Sequence, residues 1–395
     1  MRTGSLSRAL ALVAVAASLL ASCASPDAAA KAEAARLAAE AAALAARQPP
    51  PIALSDSIAQ SAATYLAFTR DVQTIQGGFA DAESIQAALR RGSAYDPAQL
   101  SRGMIAYASI IALQSPEFLA GVRQYGADPV VRQKVISDIM ADNEYVTLLP
   151  GSQAAATLIM ANMKIEIDAL SASANSIEND AYTIQGRSDP RRSWATAHVA
   201  DRAARLEAAK TVSGQTMLPS AEESARLFAA AHTRSGLTVV NGDMRTPPYP
   251  PAVNRALSLA ALAALGAAGD SAKANTDALQ EEPANQFCLS MSKLNLYQCL
   301  AASRPSYEDM FCVGRHIMRD LATCTRNSAM PGAIIQVSDP VSVAPQRLTI
   351  PTTSLMPTAA PSAAPAPAPI PAPVQPPLQQ SRPAVSATER LNTTP

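Results

Sequence analysis

The sequence predicts an all-α protein: a multi-helix bundle with one long coiled-coil-like helix and a disulfide-stapled C-terminal helical hairpin, flanked by disordered segments. Three observations carry this expectation. Alanine is the largest part of the 48% hydrophobic residues and aromatics are only 4%, which favours helix over sheet. Good N-cap residues stand before proline at Asp96-Pro97, Ser115-Pro116, Asp128-Pro129 and Asp189-Pro190, a pairing suited to helix starts. Apolar residues then recur every three to four positions.

Among the elements in chain order, the N-terminus comes first. Arg2 and Arg8 accompany a twelve-residue apolar run over 9–20. As a helix this run rises about 18 Å, too little for a hydrocarbon core of about 30 Å, so it reads as an export signal. It ends in Leu20-Ala21-Ser22-Cys23, which resembles the lipobox of bacterial lipoproteins. The resemblance implies removal of residues 1–22 as a signal peptide and lipidation of Cys23 on its sulfur and its amine. The membrane would then be a partner, since two or more acyl chains give a stable anchor. In such lipoproteins an aspartate after the cysteine favours the inner membrane. Here Ala24 and Ser25 follow, which implies the periplasmic face of the outer membrane. The mature chain also resembles uncharacterised alanine-rich envelope proteins of proteobacteria, from which no activity follows. The alternative is an ordinary signal peptide with a chance cysteine.

Residues 23–52 form an alanine-rich spacer and a proline stop. Over 28–47 the chain has high helix propensity but no broad apolar face, and Arg36 and Glu40 lie one turn apart, so a solvated helix of about 30 Å is expected. Pro49, Pro50 and Pro51 end it. At the other end, residues 329–395 read as a disordered Pro/Ala-rich tail. From Pro331 onward it holds fifteen of the thirty-one prolines, and 361–377 alternates Ala-Pro in a pattern suited to polyproline II.

An all-helical core is expected over 53–282. Ile58, Ala62, Tyr65, Thr69 and Val72 mark one buried face, and Met104, Ala108 and Ile111 another. Asp96 and Asp128, each shortly after a tyrosine (Tyr95, Tyr125), raise a helical repeat as one reading and recurring cap chemistry as the other. The strongest periodicity is Ala156, Met160, Met163, Ile167, Leu170, Ala174, Ile177, Ala181 and Ile184, a heptad seam over about four turns of the repeat. Gly186 and Asp189-Pro190 stop this helix, and the next is expected over 194–212 as its antiparallel hairpin partner, the alternative for the seam being an intermolecular coiled coil. Residues 252–265, after a proline-rich breaker, read as a buried helix too short to span a bilayer.

Four cysteines remain after cleavage: Cys288, Cys299, Cys312 and Cys324. An even number in an exported chain reads as a disulfide framework. Residues 284–302 form a helical pattern, and Ser306 with Asp309 resembles a capping box opening a second helix within a hairpin over 283–328. Two cysteines 11 residues apart on one helix lie about 16 Å apart, beyond disulfide reach, so pairing within an arm is excluded. The arms match in length, so Cys299 pairs with Cys312 and Cys288 with Cys324. The arrangement resembles the twin-cysteine hairpins of coiled-coil-helix-coiled-coil-helix proteins, in geometry alone. The rival reading is a zinc site with Cys312 and His316 one turn apart, against which stand oxidising export and unsuitable spacings.

Thirty-two basic and thirty-two acidic residues balance, falling to about minus two when Arg2 and Arg8 leave, and no basic block suits nucleic acid. No motif of a zinc protease, serine hydrolase, nucleotide-binding loop or thiol redox pair occurs, and no cofactor is expected. His198 and Asp201, three apart on the helix expected there, form at most a base and its orienter, with a solvated face as the plainer reading. Glu166 with Asp168, and Glu178 with Asp180, are spaced by two and point apart on a helix. His232 ends a helix, where a cation suits the dipole. The expected function is structural or adaptor-like in the cell envelope, with the tail reaching an envelope protein or peptidoglycan. The alternative is a helical ligand-binding or hydrolytic lipoprotein.

Overall fold

The computed structural model describes residues 26–46, 48–187 and 190–332; Cys23, Arg47, Asp189 and the Pro/Ala-rich tail beyond Gly332 lie outside them. Thirteen helices of two turns or more are considered in order: α1 (Pro26–Ala46), α2 (Asp56–Gln73), α3 (Ala82–Ser93), α4 (Pro97–Ala112), α5 (Pro116–Arg123), α6 (Pro129–Ala141), α7 (Ser152–Gly186), α8 (Arg202–Ser213), α9 (Ala221–Thr233), α10 (Pro251–Ala264), α11 (Pro283–Ala302), α12 (Ser306–Val313) and α13 (Asp320–Ala329). A single π-helical segment, Gly314–Arg319, joins α12 to α13. Among the described residues no strand forms; Leu54 with Ala268 and His198 with Pro305 make isolated bridges. The all-α expectation holds.

The helix starts follow their caps. Asp96, Ser115 and Asp128 accept backbone N–H groups of their first turns, each with proline next in line. The two helices of the suggested repeat share little else: residues 103–112 of α4 are all buried, whereas α6 buries only Val135, Ile136 and Ile139 and leaves Val130 80% exposed. Their likeness is one of caps, not of packing.

Helix α4 is the centre of the bundle and packs against α2, α7, α10 and α11. Its approach to α2 requires Gly103, where a Cβ would stand 2.5 Å from the Ser61 carbonyl oxygen and 2.8 Å from the Tyr65 Cβ. Helix α10 is buried along almost its whole length, as expected for 252–265. No single described helix is long and apolar enough to cross a membrane. Helix α1 lies at the opposite extreme: its residues 27–43 are all exposed, and Arg36 pairs with Glu33 at 2.6 Å and Glu40 at 3.2 Å.

Every residue of the heptad seam is buried in α7, but the partner differs from expectation. The seam packs against α12, the π-helical segment and α13, which form the second arm of the cysteine hairpin, and against α4. Residues 194–212 are not one helix. A single turn, Ser193–Thr196, is followed by extended chain that pairs with the turn between α11 and α12: Val199 N–H donates to Arg304 O (2.8 Å) and Ser306 N–H to Ala197 O (3.1 Å). Those bonds satisfy backbone groups that a helix would otherwise have used, and helix resumes only at α8. The hairpin is likewise no separate domain, because Leu289, Leu296, Met310, Ile317 and Leu321 belong to the same hydrophobic cluster as α2, α4 and α10.

The expected capping box at Ser306 does not form. No side chain caps α12; Glu308 accepts the Arg304 N–H at 2.6 Å instead, and Asp309 turns inward.

Replacing Gly103 with alanine should cost about 1–3 kcal/mol by forcing α2 and α4 apart, read as a lower Tm. Gly186→Ala, where a Cβ meets nothing within 4 Å, should leave Tm unchanged or raise it. Equal effects of the two would contradict the close approach.

Candidate functional site

The four cysteines pair as the arm lengths require. Cys288 is bonded to Cys324 with Cα atoms 5.6 Å apart, and Cys299 to Cys312 with Cα atoms 5.8 Å apart. The 13-residue separation of the inner pair and the 36-residue separation of the outer pair hold α11 antiparallel to the second arm. Cys312 is thereby unavailable to a metal, and His316 places Nδ1 3.1 Å from the Asp320 carboxylate, which overturns the zinc reading. Among the described residues no group of three or more His, Cys, Asp or Glu is placed to hold a metal ion.

Beneath the hairpin lies a buried ion pair. The Arg205 guanidinium of α8 pairs with the Asp309 carboxylate of α12, and the two side chains are 4% and 0% exposed. Asp309 also accepts the Ser303 hydroxyl at 2.6 Å and the Gln86 amide at 3.1 Å, while Arg205 donates to Leu300 O. Burial pushes the Asp309 carboxyl up, against the opposing pull of Ser303 and Arg205. A second buried cation, Lys293 of α11, donates to Tyr95 O and to Ser213 O (3.1 Å) and sits 4.5 Å from the Tyr95 ring centroid. Burial lowers its pKa to about 8.

A different cluster has the character of a reactive site. The Tyr65 hydroxyl donates to Glu166 Oε2 at 2.9 Å, and the Tyr65 and Tyr107 rings are 5.8 Å apart. Burial pushes the Glu166 carboxyl up to about 7, against the Tyr65 hydrogen bond and the Arg70 charge. Nearby, Arg70 and Arg226 both pair with Glu223. Helices α2, α4, α7 and α9 thus bring together a carboxyl raised into the neutral range and a second carboxyl flanked by two arginines, a contrast of environments found where acid and base roles are divided.

The other residues singled out from sequence separate. Asp168 is exposed and pairs with Lys164. Glu178 is buried and accepts Arg319 at 2.7 Å, while Asp180 pairs with Arg192, which lowers its pKa. His198 and Asp201 are both exposed, and Asp201 has φ +47° at the start of α8, so they do not share a helix face. His232 lies in the last turn of α9 against Phe228, with ring centroids 4.3 Å apart. The Tyr65 to Glu166 contact and the Arg205 to Asp309 pair join residues about a hundred positions apart, and no local pattern marks them.

Two of the surface clefts lie near these elements. One of about 510 Å³ runs between the start of α5 and residues 239–244, lined by Gln114, Glu117, Thr157 and Asn241. Asn162 holds its outer wall by exchanging two hydrogen bonds with the Val240 backbone, at 2.9 and 3.0 Å. The other, about 220 Å³, is aromatic, lined by Tyr182, Tyr307 and Phe311 with Glu308. In comparisons with known proteins, no family model, curated protein or solved structure matches this chain.

The Glu166 carboxyl sets a pH dependence. Its folded pKa lies above the ordinary 4.5, so its stabilising contribution is complete below pH 4.5 and is lost as pH rises through 7. Glu166 is only partly buried, so wild type should lose about 1–3 kcal/mol relative to Glu166→Gln between pH 5 and 8. Urea denaturation of both proteins across that range is the check, and parallel curves would contradict the environment described. At the buried pair, Asp309→Ala should cost about 3–5 kcal/mol by leaving Arg205 uncompensated, and Arg205→Met with Asp309→Leu should cost less. Denaturant midpoints give the comparison; a double variant as unstable as the single would show that the pair itself is strongly stabilising.

Proposed function

We propose that this chain is a lipid-anchored envelope protein with a structural or adaptor role, held through Cys23 on the periplasmic face of the outer membrane. The observation that carries the reading is the order of parts at the N-terminus: Leu20-Ala21-Ser22-Cys23, then α1 with residues 27–43 all exposed, then the proline stop before the core. A solvated helix of 21 residues is about 30 Å long and suits a spacer between a membrane surface and a folded body. The two disulfides support an oxidising compartment. In this reading the proline-rich sequence beyond Pro331 is the arm that meets a partner, either an envelope protein or peptidoglycan.

A second reading, a helical ligand-binding or hydrolytic lipoprotein, is favoured by one specific observation: the Glu166 carboxyl beside Tyr65, with Glu223 held between Arg70 and Arg226. Both readings share the anchor. Loss of binding to an isolated envelope on truncation after Met330 supports the adaptor, whereas retained binding that fails in Glu166→Gln supports the ligand site.

The anchor itself is tested by Cys23→Ser. Wild-type protein should partition with membranes and incorporate labelled fatty acid, and the variant should do neither. Normal acylation and membrane fractionation of the variant would sink the lipoprotein reading.

A further inference from the structure

Helix α11 is built with its heptad pattern facing outward. Ala284, Phe287, Met291, Leu294, Gln298 and Ala301 are spaced three, four, three, four and three apart, and all six are exposed. Phe287 is 68%, Met291 38% and Leu294 45% exposed. The inward face meanwhile carries polar Asn285, Ser292 and Lys293 among Leu289, Leu296 and Leu300. Burying Lys293 while exposing Phe287 reverses the usual economy of a core helix, and it is the spacing of a coiled-coil seam that is left on the surface.

We propose that this face pairs antiparallel with α11 of a second copy of the chain. The positions are complementary to themselves about a two-fold axis. Placing Met291 against Leu294 of the second copy also places Leu294 against Met291, Phe287 against Gln298, and Ala284 against Ala301, so every position of the stripe is used once in each copy. The bulky pair lies at the middle and alanine at both ends, where two helices diverge. Charge points the same way. α11 contains no Asp, Glu, Arg or His and its one lysine, Lys293, is buried, so the seam and its flanks at Ser290 and Asn295 present no like charges to repel an identical surface. A lipid surface is the poorer fit, because a helix lying in the interface carries Lys and Arg beside its apolar face. The three large side chains cover on the order of a few hundred Å² per copy, short of the roughly 800 Å² of a standard interface, so the dimer belongs to the weak, concentration-dependent class.

Cross-linking in intact cells expressing the full chain tests this. In the proposed pairing the two copies of residue 290 are offset along the axis by five residues, about 7.5 Å, and the two copies of residue 301 by seventeen, about 26 Å. A short bismaleimide should therefore link Ser290→Cys to itself and leave Ala301→Cys unlinked. Ser290 is exposed and bonds only within its own helix, to Gln286 O, so the folded state should tolerate the change. Adding Met291→Glu should lower the Ser290→Cys product about tenfold, the effect of burying an unpaired carboxylate. Adding Leu294→Lys as well should restore it, since the two new charges face one another across the axis in this register alone. Equal linking at 290 and 301 would overturn the antiparallel pairing. No product at 290, or a product indifferent to Met291→Glu, would overturn the dimer, and membrane protection of Ser290→Cys from an aqueous maleimide would make lipid the occupant.

Discussion

The two disulfides are the constraint on which the rest of the molecule depends. With Cys299 tied to Cys312 and Cys288 to Cys324, α11 and the second arm lie antiparallel with little freedom to slide. The second arm is thereby presented to the heptad seam of α7, and Gly314 lets it close on Ile177 and Glu178: a Cβ there would stand 2.9 Å from the Glu178 side chain. With its other side committed to Tyr95 and Ser213 through Lys293, α11 turns its own heptad stripe to solvent. A helix whose polar residues are buried and whose apolar residues are exposed follows from a position fixed by covalent bonds and buried polar contacts.

Buried polar groups then specify how the hairpin docks. Arg205 and Asp309 remove two charges from water, which is seldom a large net gain, but their partners Ser303, Gln86 and Leu300 O can all be satisfied in one orientation only. Tyr65 and Glu166 do the same between α2 and α7. The apolar surface of α4 and α10 supplies the general driving force for burial, and these directional contacts choose the register.

The elements that were legible in the sequence are those governed by local chemistry. Asp96, Ser115 and Asp128 cap helices because capping is decided within four residues. The nine seam positions of α7 are buried because periodicity alone sets a helix face. The cysteine pairing was legible because the rise of a helix excludes pairing within an arm and the matched lengths of two antiparallel arms choose between the other two. What failed depended on distant partners. Asp309 resembles a capping residue until Arg205 claims it from 104 positions away, and residues 197–199 leave helix because the Arg304 to Ser306 turn offers them backbone bonds. The seam showed that α7 had a partner without showing which, and the Glu166 site left no local trace at all.

The pairing of the cysteines can be read directly. Non-reducing proteolysis of the protein with mass analysis of the linked peptides should recover Cys288 joined to Cys324 and Cys299 joined to Cys312, with no free thiol among the four. Recovery of Cys288 with Cys312, of Cys299 with Cys324, or of reduced cysteines in protein taken from cells would contradict the hairpin and the outward face of α11 that rests on it.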